Sequence, residues 1–291
     1  MTVQQSFGGD WTQDKLARLK GYLEAYTIIF RKHPYLLPVY VDAFAGTGRI
    51  STRTPAPQHE YVDPEAAALL KGSARIALEV EPPFHRYIFV EQSARKSREL
   101  ESLRTEYATR ASRIQIETAD ATTFLTNWCN ATDWTKTRAV VFLDPFGMQI
   151  EWSLLKQLAE TEAVDLWLLV PLGLGVNRMT PKDSLPPQEW AEKLTRFFGS
   201  DDWSSQFYRP RIQPDLFNES SPVEKNVNFQ GLADYFVSRL NEVFPGVAAN
   251  PLTQRNSRNS PMFLLCFATA NPKARTIKAA LDIAEHLLGK H

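Results

Sequence analysis

The sequence predicts an α/β fold: a doubly wound, mostly parallel sheet of seven strands, with an antiparallel C-terminal hairpin and an inserted lid. Three observations carry this expectation. Short β-rich runs alternate with helix-period segments between residues 39 and 170, the pattern of strand–helix–strand crossovers. The run Ala139-Val140-Val141-Phe142-Leu143 is almost continuously apolar, as expected for a parallel strand covered on both faces. Residues 247–254 and 262–269 flank the polar stretch Arg255 to Pro261, which reads as a hairpin.

The elements follow in order. Lys15, Leu16, Leu19, Tyr22, Leu23, Tyr26, Ile29 and Phe30 recur at three- and four-residue steps, which predicts a helix over 12–31 that Pro34 ends. A first strand over 39–44 breaks at Gly46-Thr47-Gly48. Residues 49–63 read as a polar loop, and 64–80 as one helix interrupted at Gly72-Ser73 or as two short ones. A second strand, 87–90, is closed by Glu91, and Ser93 caps a helix over 93–109. A third strand, 114–117, ends near Asp120, before a short helix over 121–128. The fourth strand stops at Asp144-Pro145-Phe146-Gly147, after which come a helix over 154–161 and a fifth strand over 165–170. Residues 173–228 break the rhythm with Pro, Trp and charge, and contain one clear helix, 188–198. Helices over 229–243 and 272–288 complete the chain. The expected organisation is therefore one domain from 1–172 and 229–291, with 173–228 as an inserted lid and substrate subdomain.

Composition excludes several functions. With 33 Lys+Arg against 33 Asp+Glu the formal net charge is zero, so the global attraction used by sequence-blind nucleic-acid binders is absent and any nucleic-acid role rests on a local site. The insertion carries seven cations against eight acids, which makes no basic clamp by count. Two cysteines build neither a disulfide framework nor a Cys-rich zinc site, and the five histidines show no metal-ligand spacing, so no metal is expected. Cytosine C5 methylation needs a cysteine nucleophile, normally after proline, and neither Cys129 nor Cys266 follows one. The N-terminal stretch lacks the order of a signal peptide and no run approaches the ~18 apolar residues of a span, so the expected location is cytoplasmic.

In a doubly wound sheet, ligands sit beyond the carboxyl ends of the strands, where strand order reverses. Asp42, Glu91 and Asp144 stand at such ends, with Asp120 near a fourth. The turn Asp42-Ala43-Phe44-Ala45-Gly46-Thr47-Gly48 lacks both the GxGxxG spacing of a dinucleotide fingerprint and the GK[ST] of a phosphate-cradling loop. Its DxFxGxG pattern resembles motif I of class I S-adenosylmethionine-dependent methyltransferases, which are Rossmann-like. That resemblance implies a cofactor held by Asp42, Ala43, Phe44, Gly46 and Gly48, with Glu91 on the ribose hydroxyls and Asp120 and Ala121 at the adenine. A tight strand-to-helix connection would use the same glycines, and an Asp before a helix is commonly a cap.

Asp144-Pro145-Phe146-Gly147 resembles motif IV of amino-methyltransferases, [DNS]PP[YFW], with Phe146 in place of the second proline and Gly147 in place of the aromatic. An exocyclic amine conjugated to a base ring is a poor nucleophile. Asp144 and the Pro145 carbonyl would accept its N–H bonds and localise its lone pair, and Phe146 would stack on the ring. The DPFG run also resembles the motif of tRNA guanine-N2 dimethyltransferases, and a plain proline turn is the competing structural account. Gly147 beside this turn and Arg178 near the lid are the candidate substrate contacts, Arg178 for a phosphate or carboxylate.

Taken together, the chain resembles the three-Cys-motif partner (TcmP) family. The similarity runs through Trp11-Thr12, Lys15-Leu16, Tyr22, Asp42 to Gly48, Gly72-Ser73, Ala77-Leu78, Phe89-Val90-Glu91, Asp144 to Gly147, Asn177-Arg178 and Phe263 to Ala268 before Asn271-Pro272. It implies a methyltransferase-like fold, a bacterial or phage setting, and a partner protein with a three-cysteine motif that looks like an iron–sulfur, radical-type protein. The expected function is S-adenosylmethionine-dependent N-methylation of a nucleobase amine in DNA or RNA. The alternative is a methyltransferase-fold binding module that serves the three-cysteine partner without methyl transfer of its own. Protein and small-molecule acceptors stay open.

Overall fold

A computed structural model describes residues 10–46, 72–211 and 223–289. The apolar runs read from the sequence form β1 (Leu37–Asp42), β2 (Arg86–Val90), β3 (Ile114–Glu117), β4 (Thr137–Leu143) and β5 (Val164–Val170). These five strands are parallel, and β10 (Pro261–Thr269) joins β5 antiparallel, with Thr269 opposite Asp165. The sheet order is β3-β2-β1-β4-β5-β10-β8, with β9 also on β10. This is a mostly parallel, doubly wound α/β sheet of Rossmann-like order. It has eight strands rather than seven. The first arm of the predicted hairpin divides into β8 (Gly246–Val247) and β9 (Leu252–Arg255), because Pro251 between them has no N–H to donate to the ladder.

Side chains alternate across the sheet with period two. Tyr40, Val140, Phe142, Trp167 and Leu169 pack under α1 (Asp10–Phe30), α2 (Ser73–Glu79) and the C-terminal helix. Val39, Val41, Val141, Leu143, Leu166 and Leu168 pack under the helices of the other face. In chain order the remaining helices are α3 (Ala94–Leu100), α4 (Ser102–Glu106), α5 (Ala121–Ala131), α6 (Trp152–Glu160), α7 (Gln188–Phe198), α8 (Trp203–Phe207), α9 (Phe229–Asn241) and α10 (Ala274–Leu288). The single helix expected over 93–109 is thus α3 and α4, followed by a 3-10 segment, Ala108–Arg113. Of the helix expected over 64–80, residues 64–71 lie outside the described residues, as does the loop 49–63.

The insertion holds more structure than its predicted one helix. A π-helical turn, Leu172–Val176, leads into Asn177–Met179, then α7, α8 and a ribbon of β6 (Tyr208–Pro210) and β7 (Val223–Lys225). Leu194, Phe197, Phe198, Trp203 and Phe207 are buried in the same core as Trp152 of α6 and Phe236 of α9. Each such side chain stabilises by roughly 1.5–3 kcal/mol on burial, so α7 and α8 are anchored to the sheet's own core. No helix among the described residues is long and apolar enough to cross a membrane.

Candidate functional site

The strand register gathers the predicted acids at one edge. Asp42 ends β1, opposite Phe89 of β2 on one side and Phe142 of β4 on the other. Glu91 and Asp144 each stand two residues beyond those partners, on strands about 4.8 Å to either side. The backbone then turns over this edge: Ala43 N donates to Phe142 O at 3.2 Å and Ala45 N to Val90 O at 3.0 Å. Asp42 is fully buried and braces the turn. Its Oδ2 accepts from Ser73 Oγ at 2.6 Å and its Oδ1 from Phe44 N at 3.3 Å. Burial lifts its pKa to about 7; the Ser73 and Phe44 hydrogen bonds pull down, nearby Asp144 pushes up and Lys15 pulls down. Gly46 is buried and left-handed, φ 61°, yet a Cβ placed on it would meet no described atom within 4 Å. The Cβ direction of Gly46 is thus clear of every described side chain. Gly48 lies outside the described residues.

Asp144 has a partner that the motif reading did not include. Lys15 of α1, fully buried, donates from Nζ to Asp144 Oδ2 at 2.5 Å, and Nζ lies 5.4 Å from the Phe142 ring centroid. Burial raises the Asp144 pKa, and Lys15 opposes that rise. The carboxylate is thus charge-compensated from inside the protein. A signal for this was present: Lys15 occupies a position in the apolar stripe of α1, where a cation needs a buried counter-charge. Tyr40, two residues before Asp42, has a buried hydroxyl with no hydrogen-bond partner among the described residues, and burial together with Asp42 and Asp144 holds its pKa well above the usual phenol value.

The other predicted residues fall around this centre. Glu91 is buried at the end of β2, its Oε1 accepting from Ser93 N at 2.8 Å, which places the carboxylate against the start of α3. Pro145 is buried, and the half-buried Phe146 ring has Lys96 Nζ of α3 at 5.3 Å from its centroid. A residue following β4 therefore meets one following β2, over the end of β1 between them. Gly147 is exposed with φ 68°. Asp120 is exposed and caps α5, its Oδ1 accepting from Thr123 N at 2.9 Å, with Ala121 buried as the first helical residue. Arg178 is exposed beyond the end of β5. The structure thus brings Asp42 to Gly46, Glu91 and Asp144 to Phe146 to one edge, with Asp120 and Arg178 on its flanks. Buried acceptors beside a glycine turn suit a polar organic ligand. Among the described residues no group of three His, Cys, Asp or Glu could hold a metal ion.

No family model matches the chain, and no curated protein matches it. Among solved structures, it is similar to protein LPL1258 from Legionella pneumophila str. Philadelphia 1, with 10% identity over 94% of this chain and 92% of that one, TM-score 0.44. It is also similar to the magnesium protoporphyrin IX methyltransferase ChlM from Synechocystis PCC 6803 with bound SAH, with 11% identity over 88% and 83% of the two chains, TM-score 0.39. A conserved hypothetical protein of Streptococcus pyogenes matches over 49% of this chain and 73% of its own, with 16% identity and TM-score 0.29. These likenesses are loose, and the architecture rests on the strand order and register themselves.

Proposed function

We propose that the protein is an S-adenosylmethionine-dependent methyltransferase acting on an exocyclic amine of a nucleobase in DNA or RNA. The observation that carries this reading is the meeting of Asp42, Glu91 and Asp144 beside the open Cβ direction of Gly46. That space is where a cofactor's chain would pass without a side chain in its way. When bound, the cofactor would supply an electrophilic methyl group. Glu91 has a second carboxylate oxygen for ribose hydroxyls, its first being held by Ser93 N. Asp42, both of whose oxygens accept hydrogen bonds from the protein, shapes the turn. Asp120 would use Oδ2 for the adenine amine, since Oδ1 caps α5.

On the acceptor side, Lys15 holds Oδ2 of Asp144 and leaves Oδ1 to accept one N–H of the amine, with the Pro145 carbonyl for the other. With the S–CH3 bond breaking onto sulfur as the N–CH3 bond forms, Asp144 would offset the positive charge developing on nitrogen, and the amine proton would then pass to solvent. Phe146 would stack on the base, and positioning would supply most of the rate. Calorimetry with S-adenosylhomocysteine tests the cofactor half: wild type should give heat, and Glu91→Ala should bind at least tenfold more weakly. No heat with the wild type sinks the reading.

The pairing of Asp144 with Lys15 favours a second reading, because a carboxylate that only holds the fold would be compensated in the same way. In that reading the chain is a methyltransferase-fold module acting with a three-cysteine-motif partner. Methyl transfer to oligonucleotides, assayed with and without such a partner, separates the two: turnover by the chain alone sinks the module, and partner binding without any turnover sinks the enzyme.

A further inference from the structure

The balanced charge of the insertion conceals a local imbalance. In β7 the side chains alternate, so Glu224 and Lys225 point to opposite faces of the ribbon. Glu224 is taken by Arg209, at 2.8 Å, and Asp183 by Arg211, at 2.7 Å. The acids next in chain to Lys225 and Lys182 are thereby committed to other cations. Lys225 Nζ instead donates to two neutral oxygens, Asn177 Oδ1 and Thr180 Oγ1, both at 2.7 Å. Thr180 is itself buried and fixed by donation to Val176 O at 3.0 Å.

The Lys225 backbone N–H donates to Lys182 O at 2.8 Å, which ties the two lysines together. Burial, then Lys182, lower the Lys225 amine to about 8. Among the described residues, Lys182, Lys225 and the exposed Arg178, next in chain to Asn177, form no ion pair with an acid. Lys182 and Lys225 repel one another without an acid between them, Arg178 follows the asparagine that Lys225 holds, and Lys225 still has a third N–H to give. The segment that leads into Arg178 packs against the chain just past the acceptor turn: a Cβ on Gly175 would lie 2.9 Å from Met148 Cγ, two residues past Phe146.

We propose that Arg178, Lys182 and Lys225 form an anion subsite that takes a backbone phosphodiester of a nucleic-acid acceptor. This rests on the nucleic-acid reading of the acceptor and supplies the local contact that zero net charge otherwise leaves missing. A phosphodiester suits it better than a carboxylate on a small molecule, because the three cations are spread over two segments of chain that a strand can span.

The test is fluorescence anisotropy of the full chain with a labelled single-stranded oligonucleotide across a salt series. The paired change Arg178→Ala with Lys182→Ala alters exposed side chains only. It should weaken binding at least tenfold and flatten the slope of log K against log salt by about 1.4, at ~0.7 per lost contact. Lys225→Met should act in the same direction. Affinity for S-adenosylhomocysteine should be unchanged in the paired variant, so failure of the cofactor reading shows in that separate measurement. Wild type that binds no oligonucleotide, or variants with unaltered affinity and slope, would overturn the subsite. Displacement of the oligonucleotide by micromolar inorganic phosphate would overturn its assignment to a phosphodiester.

Discussion

Helix α1 reaches both edges of the sheet, and it treats the acids there differently. At the carboxyl edge its Lys15 meets Asp144 with a full positive charge. At the amino edge its Tyr22 hydroxyl donates to Asp165 Oδ2 at 2.7 Å, and Thr269 also hydrogen-bonds that carboxylate. Burial lifts Asp165 to about 6, with Thr269 and Tyr22 pulling down. Around Tyr22 the space is filled by rings, Phe267 at 4.9 Å and Trp167 at 5.4 Å between centroids. Neutral hydroxyl donors in a filled core serve an acid that only has to be accommodated. A buried cation instead offsets the cost of burying the Asp144 carboxylate at the edge that carries the glycine turn. The contrast separates an acid met by neutral hydroxyls from one met by a cation.

The largest effect expected from breaking this contrast is that of Lys15→Met. It leaves Asp144 buried without its counter-charge and should lower unfolding free energy by about 3–5 kcal/mol in urea titrations. If the loss is no greater than for a hydroxyl deletion at the other edge, the two edges are equivalent and the distinction fails.

Next comes a pH effect at Asp42. Its folded pKa of about 7 lies above the ~3.9 of an unfolded aspartate, so between those values the folded chain keeps a proton that the unfolded chain releases. The stabilisation from that proton is complete below about pH 4 and lost as pH rises through 7. Asp42→Asn, permanently neutral, should therefore gain stability relative to wild type between pH 5 and pH 8, on the order of 2 kcal/mol. Thermal unfolding of both proteins at the two pH values reads it, and parallel pH profiles would remove Asp42 as the titrating group.

The smallest effect should be Tyr22→Phe, which removes one hydrogen bond to Asp165 and leaves Thr269 in place. About 1 kcal/mol is expected, again from urea titrations, with no change in S-adenosylhomocysteine affinity. A large loss of that affinity would mean that the amino edge reports to the site after all.

Much of this was legible in the chain. Strands β1, β2 and β4 stood out as apolar runs closed by Asp42, Glu91 and Asp144, and the alternation of strands and helices placed those acids together before any coordinates. The division of β8 from β9 was harder, since it depends on what one proline does within a pairing set by β10. The Lys15–Asp144 pair spans 129 positions, and only its odd place in an apolar stripe hinted at it. Counting charges in the insertion returned near balance because a count discards direction. The pleat of β7 turns Glu224 and Lys225 apart, and that two-residue geometry decides which face is positive.

The contact of Gly175 with Met148 leaves no room for a methyl group, so the turn after β4 and the turn after β5 are wedged together. An acceptor engaging both the Asp144 turn and the cations near Asn177 would then be gauged at two points joined by that contact. Such a site would act as a caliper, selecting its partner by stride as much as by chemistry.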